Sequence, residues 1–161
     1  MRALLASLIT VLLLTFAGTS LGNDVNYRPG GKAFSRVWDA FYTDIPHEPE
    51  IPAPLVAAGP KMTEAICDAV THKDMMYRRY ALAALGFVRD RRALSTLEKI
   101  MNDESELDYF RGDALQSIFR IDRILGRRYA KQYVSGPKYL AMISAAIERN
   151  EKWLTEPWTN H

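Results

Sequence analysis

Few residues in this 161-residue sequence could carry chemistry, since three histidines and the single cysteine Cys67 are its only soft metal ligands. Asp68 and His72 are four positions apart, so a helix would place both on one face, where they could share a metal ion. On that helix Cys67 would point about 100° away from Asp68, and no second pair of ligands accompanies them. We therefore predict no metal site, and we expect His72 at a solvated helix end, where a histidine suits the negative end of the dipole.

Nucleophilic catalysis is not indicated either. It needs a serine, cysteine or threonine activated by a base, and the sequence contains neither a G-x-S-x-G turn nor the context of a catalytic cysteine. Cys67 follows Ile66 on an otherwise apolar helix, so we interpret it as a small residue in or near the core. His47 and Glu48 are residue types that can bind a metal, but this is one pair and it lies between prolines. The sequence thus predicts a protein that is not an enzyme and that holds no cofactor.

The first residues, MRALLASLITVLLLTFAGTSLGND, have the layout of a secretory signal peptide. Arg2 precedes an apolar run of about 15 residues, short of the roughly 20 that span a bilayer, and the small residues Gly18, Thr19, Ser20 and Gly22 follow. We expect cleavage after Gly22, which makes residues 1–22 the signal peptide and predicts export across the inner membrane, to a bacterial periplasm. An uncleaved membrane anchor is the alternative.

Charge and size limit the classes of partner. The 21 Lys and Arg residues and 19 Asp and Glu residues give a net charge of +2, and loss of Arg2 with the signal peptide leaves +1. Nucleic-acid-binding domains usually carry a clear basic excess, so no nucleic acid is expected, and no membrane contact after cleavage. The mature 139 residues have the size of one domain with its own core. Cys67 alone cannot form an internal disulfide.

Helical periodicity runs through the mature sequence, and no alternating apolar run is long enough to predict a strand, so the predicted fold class is all-α. Residues 23–32 are polar with Pro-Gly-Gly and predict a flexible leader. A helix is expected at residues 33–42, and four prolines within residues 46–54 predict a stiff connector. Further helical patterns cover residues 62–70, 81–88, 94–101, 114–125 and 140–154.

Two segments of the chain repeat. RRYALAALGFV at residues 78–88 aligns with RGDALQSIFRI at residues 111–121 after a shift of 33, and the preceding helices align after a shift of 31. Helix pairs with such a period indicate a solenoid. The first copy and its sequel read Arg78-x-x-Ala81-x-x-Ala84-Leu85-Gly86, then Asp90-x-Arg92-Ala93-x-x-x-Leu97 and Asn102-Asp103. This pattern resembles the short HEAT-like repeat that phycobilin lyases also contain.

The resemblance implies a short right-handed α-solenoid of HEAT-like helix pairs with helical caps. It covers residues 55–125, and residues 126–161 would form a C-terminal cap, within one domain at residues 33–161. It also implies a structural role for Arg78 and a close approach of helices at Gly86. In HEAT-like stacks the second helix of each pair lines the concave face. The resemblance therefore implies that the polar residues of these helices are candidates for a binding surface.

Polar residues of these helices and a basic stripe are the candidates for a protein interface. The basic stripe consists of Arg120, Arg123, Arg127 and Lys131, which lie on one face if a single helix continues through Gly126. Its charge is opposite to that of the acidic loop at residues 103–108. Alternatively, both are ordinary solvated surface or pair with each other. Tyr129, Tyr133, Tyr139 and Trp153 could add aromatic contacts. The charged and polar candidates are Lys61, Glu64, Asp68, Arg92, Ser95, Lys99, Asn102, Arg120, Arg123, Arg127 and Lys131.

These features predict a non-catalytic protein–protein interaction module, a scaffold or adaptor in the bacterial periplasm, whose partner is another protein of the cell envelope. One alternative is a periplasmic immunity protein that binds and blocks a toxin effector, which small size, export and lack of chemistry would suit. A small hydrolase or metal-binding protein is the other. The sequence leaves the oligomeric state open.

Overall fold

Helices make up the regular structure in the computed structural model, which describes residues 27–29, 33–43 and 51–156. Within these residues there is no strand, only an isolated parallel bridge between Tyr27 and Met75, so the all-α prediction is confirmed there. The predicted signal peptide and His47-Glu48 lie outside the described residues. The helices are α1 Ser35–Tyr42, α2 Ala53–Ala58, α3 Thr63–Ala69, α4 Arg78–Val88, α5 Leu94–Asn102, α6 Asp108–Ile121, α7 Arg123–Gln132 and α8 Lys138–Arg149.

Three local details differ from the sequence-based prediction. Helix α2 begins at Ala53, inside the expected connector, because proline is tolerated in a first helical turn. The expected flexible leader pairs at Tyr27, whose N–H donates to the carbonyl of Asp74 and whose carbonyl accepts from the N–H of Met76, both at 3.1 Å. Helix α8 ends at Arg149, because Asn150 adopts a left-handed conformation (φ 54°) and turns the chain.

A further difference concerns the region around Asp122, where one continuous helix was predicted. Asp122 is extended (φ −142°), and its Oδ1 accepts hydrogen bonds from the backbone N–H groups of Ile124 at 3.1 Å and Leu125 at 3.0 Å. This N-cap ends α6 and starts α7. Helix α7 then packs back on α6 so closely that a Cβ on Gly126 would lie 2.5 Å from the Cα of Phe119.

Helix α6 lies at the centre of the packing, against α4, α5, α7 and α8, while α3 packs against α4. Its residues from Phe110 to Arg120 are all buried. The expected close approach at Gly86 is confirmed, since a Cβ there would lie 2.8 Å from the Oγ of Ser117 on α6. Among the described residues, no helix has both the length and the apolar character that crossing a bilayer requires.

Candidate protein-binding surface

Arg78, at the start of α4, is buried and serves the packing of the helices. Its Nε donates to the carbonyl of Val70 and its Nη2 to Glu106, both at 2.7 Å. Arg111 in α6 repeats the first of these bonds, since its Nε donates to the carbonyl of Met101 at 2.9 Å. The two arginines therefore cap the last carbonyls of α3 and α5, at the sequence shifts of 33 and 31 that relate the two copies.

The predicted candidates on α3 and α5 are exposed, but Arg92 among them is engaged within the chain. Its guanidinium donates to Asp90 at 2.6 Å, to Glu64 at 3.0 Å and to the carbonyl of Pro60 at 2.7 Å. The hydrogen bonds from Arg92 hold the pKa of Asp90 down at about 2. Arg92 thus ties the start of α5 to α3. The other exposed candidates of these helices and of the turn before α3 are Lys61, Glu64, Asp68, Ser95, Lys99 and Asn102.

The prediction of one basic stripe is wrong at Arg120, which is only 6% exposed. Because Asp122 ends α6, Arg120 lies on a different helix from the other three members. Its Nε donates to the carbonyl of Leu154 at 2.7 Å, and its guanidinium carbon lies 4.0 Å from the ring centroid of Phe87. Burial lowers the pKa of Arg120 to about 10. The exposed members on α7 are Arg123, Arg127 and Lys131.

The acidic loop before α6 pairs with groups other than this stripe. Asp103 forms an exposed ion pair with Lys73 at 3.1 Å, and Glu106 forms the buried one with Arg78. Asp108 accepts hydrogen bonds from the backbone N–H groups of Tyr139 at 2.6 Å and Leu140 at 2.9 Å, in the first turn of α8. The loop therefore joins the turn after α3, and helices α4 and α8, to the start of α6.

A surface network that joins α4, α6 and α8 forms around Arg79. The Nε of Arg79 donates to Asp113 Oδ2 at 2.6 Å, and its Nη2 donates to Asp113 Oδ1 at 3.1 Å and to the hydroxyl of Tyr139 at 2.9 Å. The Tyr139 hydroxyl in turn donates to Asp113 Oδ1 at 3.0 Å. Asp113 is buried, whereas the side chain of Arg79 is 48% exposed. One buried carboxylate therefore fixes an arginine and a tyrosine at the surface.

Electrostatics hold this network in one protonation state. The hydrogen bond from Arg79 to Asp113 raises the pKa of the guanidinium further, so Arg79 stays charged. Burial, together with the negative charge of Asp113, raises the pKa of Tyr139 to about 12. The Tyr139 hydroxyl thus remains a donor to Asp113 over the physiological range of pH.

Two aromatic rings lie near the guanidinium of Arg79. Its guanidinium carbon lies 5.4 Å from the ring centroids of Tyr109 and of Tyr139, and Tyr109 is exposed at the start of α6. Leu107, which precedes α6, and Met142, three residues after Tyr139 on α8, are also exposed. We call Arg79, Tyr109 and Tyr139 the Arg-Tyr patch. It combines a fixed cation, two rings and apolar neighbours, which is the composition of an interface hot spot.

The sequence singled out Tyr139 as a possible contact but missed Tyr109 and Asp113. One signal was available in the sequence. At the shift of 33, Asp113 in the second copy aligns with Tyr80 in the first, so a carboxylate takes the place of an aromatic side chain, and Asp113 is buried.

The candidate metal ligands do not converge. In the described part of the chain, no group of three His, Cys, Asp or Glu side chains could hold a metal ion. The ring of His72 instead stacks on Tyr27, with centroids 3.9 Å apart. Cys67 is half-buried against the core, and burial raises the pKa of its thiol.

Comparison of the chain with protein-family models, with curated proteins and with solved structures found no match.

Proposed function

We propose that this protein is a non-catalytic interaction module, a scaffold or adaptor built from HEAT-like helix pairs, that binds another protein of the bacterial cell envelope through the Arg-Tyr patch. Three packed pairs, α3 with α4, α5 with α6 and α7 with α8, support the solenoid part of this proposal. The second helices of the three pairs also pack in succession, α4 against α6 and α6 against α8. The equivalent capping bonds of Arg78 and Arg111 also support the solenoid part, because each joins the two helices of its pair in the same way.

The observation that carries the proposal is the fixed position of Arg79 near the rings of Tyr109 and Tyr139. A two-point bond to a buried carboxylate removes most of the rotamer freedom of Arg79 before any partner arrives, so little entropy is lost on binding. Within the described residues these bonds use Nε and Nη2, which leaves the donors of Nη1 for a partner's carboxylate or carbonyl. We therefore expect a partner segment that packs apolar side chains on Tyr109 and offers an acceptor to Arg79.

Site-specific crosslinking in intact cells tests the patch. A photoreactive phenylalanine derivative replaces Tyr109 in one full-length chain and Ile124, which is 85% exposed on α7, in a matched control. We expect a discrete crosslinked protein from position 109 and not from 124, and its loss in the Arg79→Ala chain. Equal crosslinking at both positions, or a crosslink that survives Arg79→Ala, would contradict the proposal.

Export is tested separately. The intact mass of the protein recovered from a periplasmic fraction should correspond to a chain that begins at residue 23. A full-length mass in the membrane fraction would instead support the uncleaved anchor.

A further inference from the structure

We propose a second binding site, distinct from the Arg-Tyr patch: the face of α6 that carries Gln116 and Arg120 binds a short peptide segment of a partner protein. In the structure, residues 151–156 cover this face, and we call them the C-terminal strap. The strap shows what the face accepts, and the partner segment would take its place.

The strap leaves the end of α8 and returns to the centre of the fold. Leu154 ends a short 3-10 turn, and its side chain is fully buried in the hydrophobic core. The carbonyl of Leu154 accepts hydrogen bonds from Arg120 Nε at 2.7 Å and from Gln116 Nε2 at 3.4 Å. One backbone oxygen therefore joins the strap to α6, and one apolar side chain anchors the strap in the core.

This chemistry is available to a peptide from another protein. Every residue carries a backbone carbonyl, so Gln116 and Arg120 can recognise a segment of any sequence that supplies a leucine-sized side chain beside it. The neighbours of Leu154 in the strap add little selectivity, because Lys152 and Trp153 are exposed. The face therefore selects for one buried apolar residue and tolerates change on either side.

Arg120 provides the observation that the strap leaves unexplained. The residue is buried, yet its Nη2 has no hydrogen-bond partner among the described residues. Buried polar groups are nearly always paired, and an unpaired donor on a cation is costly. Burial lowers the pKa of Arg120 in spite of the negative charge of Asp113, which acts on the guanidinium without a hydrogen bond to it. A partner with a carboxylate near its buried leucine would satisfy a donor that the strap does not.

The strap can leave without unravelling the helix before it. Asn150 ends α8 through its own bonds, since its N–H donates to carbonyls of the last turn, including that of Ile147 at 3.0 Å. The strap itself has a single turn and a single fully buried side chain, Leu154. The strap therefore competes with a partner peptide from within the chain. The observed affinity for the peptide is proportional to the fraction of molecules in which the strap has left its site.

A labelled peptide tests the site on the full-length protein. The probe is a fluorescein-labelled peptide with the sequence of residues 150–156, NEKWLTE, and its matched control carries Leu154→Ala. We expect the probe to bind the full-length Leu154→Ala chain at least tenfold more tightly than the wild-type chain, since the internal competitor is weakened. The Trp153→Ala chain keeps the buried leucine and should behave like wild type.

The position of binding is tested by a second substitution. Arg120→Met in the Leu154→Ala chain should weaken probe binding at least tenfold, whereas Arg79→Ala should leave it unchanged, which separates this site from the Arg-Tyr patch. Equal affinity for the wild-type and Leu154→Ala chains would overturn the proposal, as would binding of the control peptide. A dimer detected by light scattering would indicate that two copies of this chain exchange straps. The occupant of the site would then be a second copy of the chain, which would overturn the proposal of a partner protein.

Hydrogen exchange keeps the test decisive if the Leu154→Ala chain does not fold. Saturating unlabelled probe added to the wild-type chain should accelerate exchange of the Leu154 and Thr155 amides, which bond within the strap, while α6 stays protected. Unchanged exchange of these two amides at saturation would overturn the proposal.

Discussion

Helices α4 and α6 are two copies of one sequence pattern, and they differ most on a single face. At the shift of 33, Tyr80, Ala83 and Phe87 of α4 correspond to Asp113, Gln116 and Arg120 of α6. The same register is therefore apolar in the first copy and polar in the second.

The polar residues on this face of α6 form hydrogen bonds with segments from elsewhere in the chain. Asp113 binds Arg79 and Tyr139, whereas Gln116 and Arg120 bind the carbonyl of Leu154. The comparison teaches that a repeat can keep its capping arginine and core while one face of its second helix is remade to bind other segments.

The largest expected effect distinguishes the two capping arginines. Arg78→Met should destabilise the protein by about 3–5 kcal/mol, because it leaves Glu106 charged, buried and without its partner. Arg111→Met loses a bond to a carbonyl and no ion pair, so about 1–2 kcal/mol is expected. Urea unfolding followed by circular dichroism gives both values. Equal losses would show that the ion pair with Glu106 contributes nothing beyond the shared cap.

A smaller effect is expected at Arg120, although it is nearly as buried as Arg78. Among the described residues no carboxylate bonds to its guanidinium, and burial lowers its pKa, so folding opposes the charge that it carries. Replacement of such a buried charge by an apolar side chain is often neutral, and Arg120→Met should change the unfolding free energy by less than about 1 kcal/mol. A loss comparable to that of Arg78→Met in the same urea titration would contradict this contrast.

The smallest effect concerns pH and the network around Asp113. The pKa of Tyr139 is raised in the folded state to about 12, so its contribution to stability is complete below its ordinary pKa near 10 and is lost as pH rises towards 12. Tyr139→Phe removes this contribution, and its melting temperature should fall less between pH 10 and 12 than that of the wild type. Parallel curves for the two proteins would show that Tyr139 does not titrate in this way.

Sequence reasoning succeeded where local rules decide the outcome. The spacing of apolar residues in α4, α5 and α8 is a property of short segments. The close approach at Gly86 was expected from the resemblance to the repeat, and the structure shows it between α4 and α6. Sequence reasoning failed at Asp122, where a side-chain cap overrode a helical pattern that continued on both sides. That single missed cap moved Arg120 from a predicted surface stripe to the interior.

The composition and periodicity of the sequence by themselves determined an all-α fold with two copies of one helix pattern. The reason is that apolar residues at helical spacing share one face when the segment is a helix, so that the core can bury them together. Only the tertiary structure decided which arginines are buried and which are exposed. Arg78 and Arg79 are adjacent in sequence and about 100° apart on α4, so one meets Glu106 and the other meets Asp113. Pairings across about 30 residues depend on how helices stack, and no local pattern encodes them.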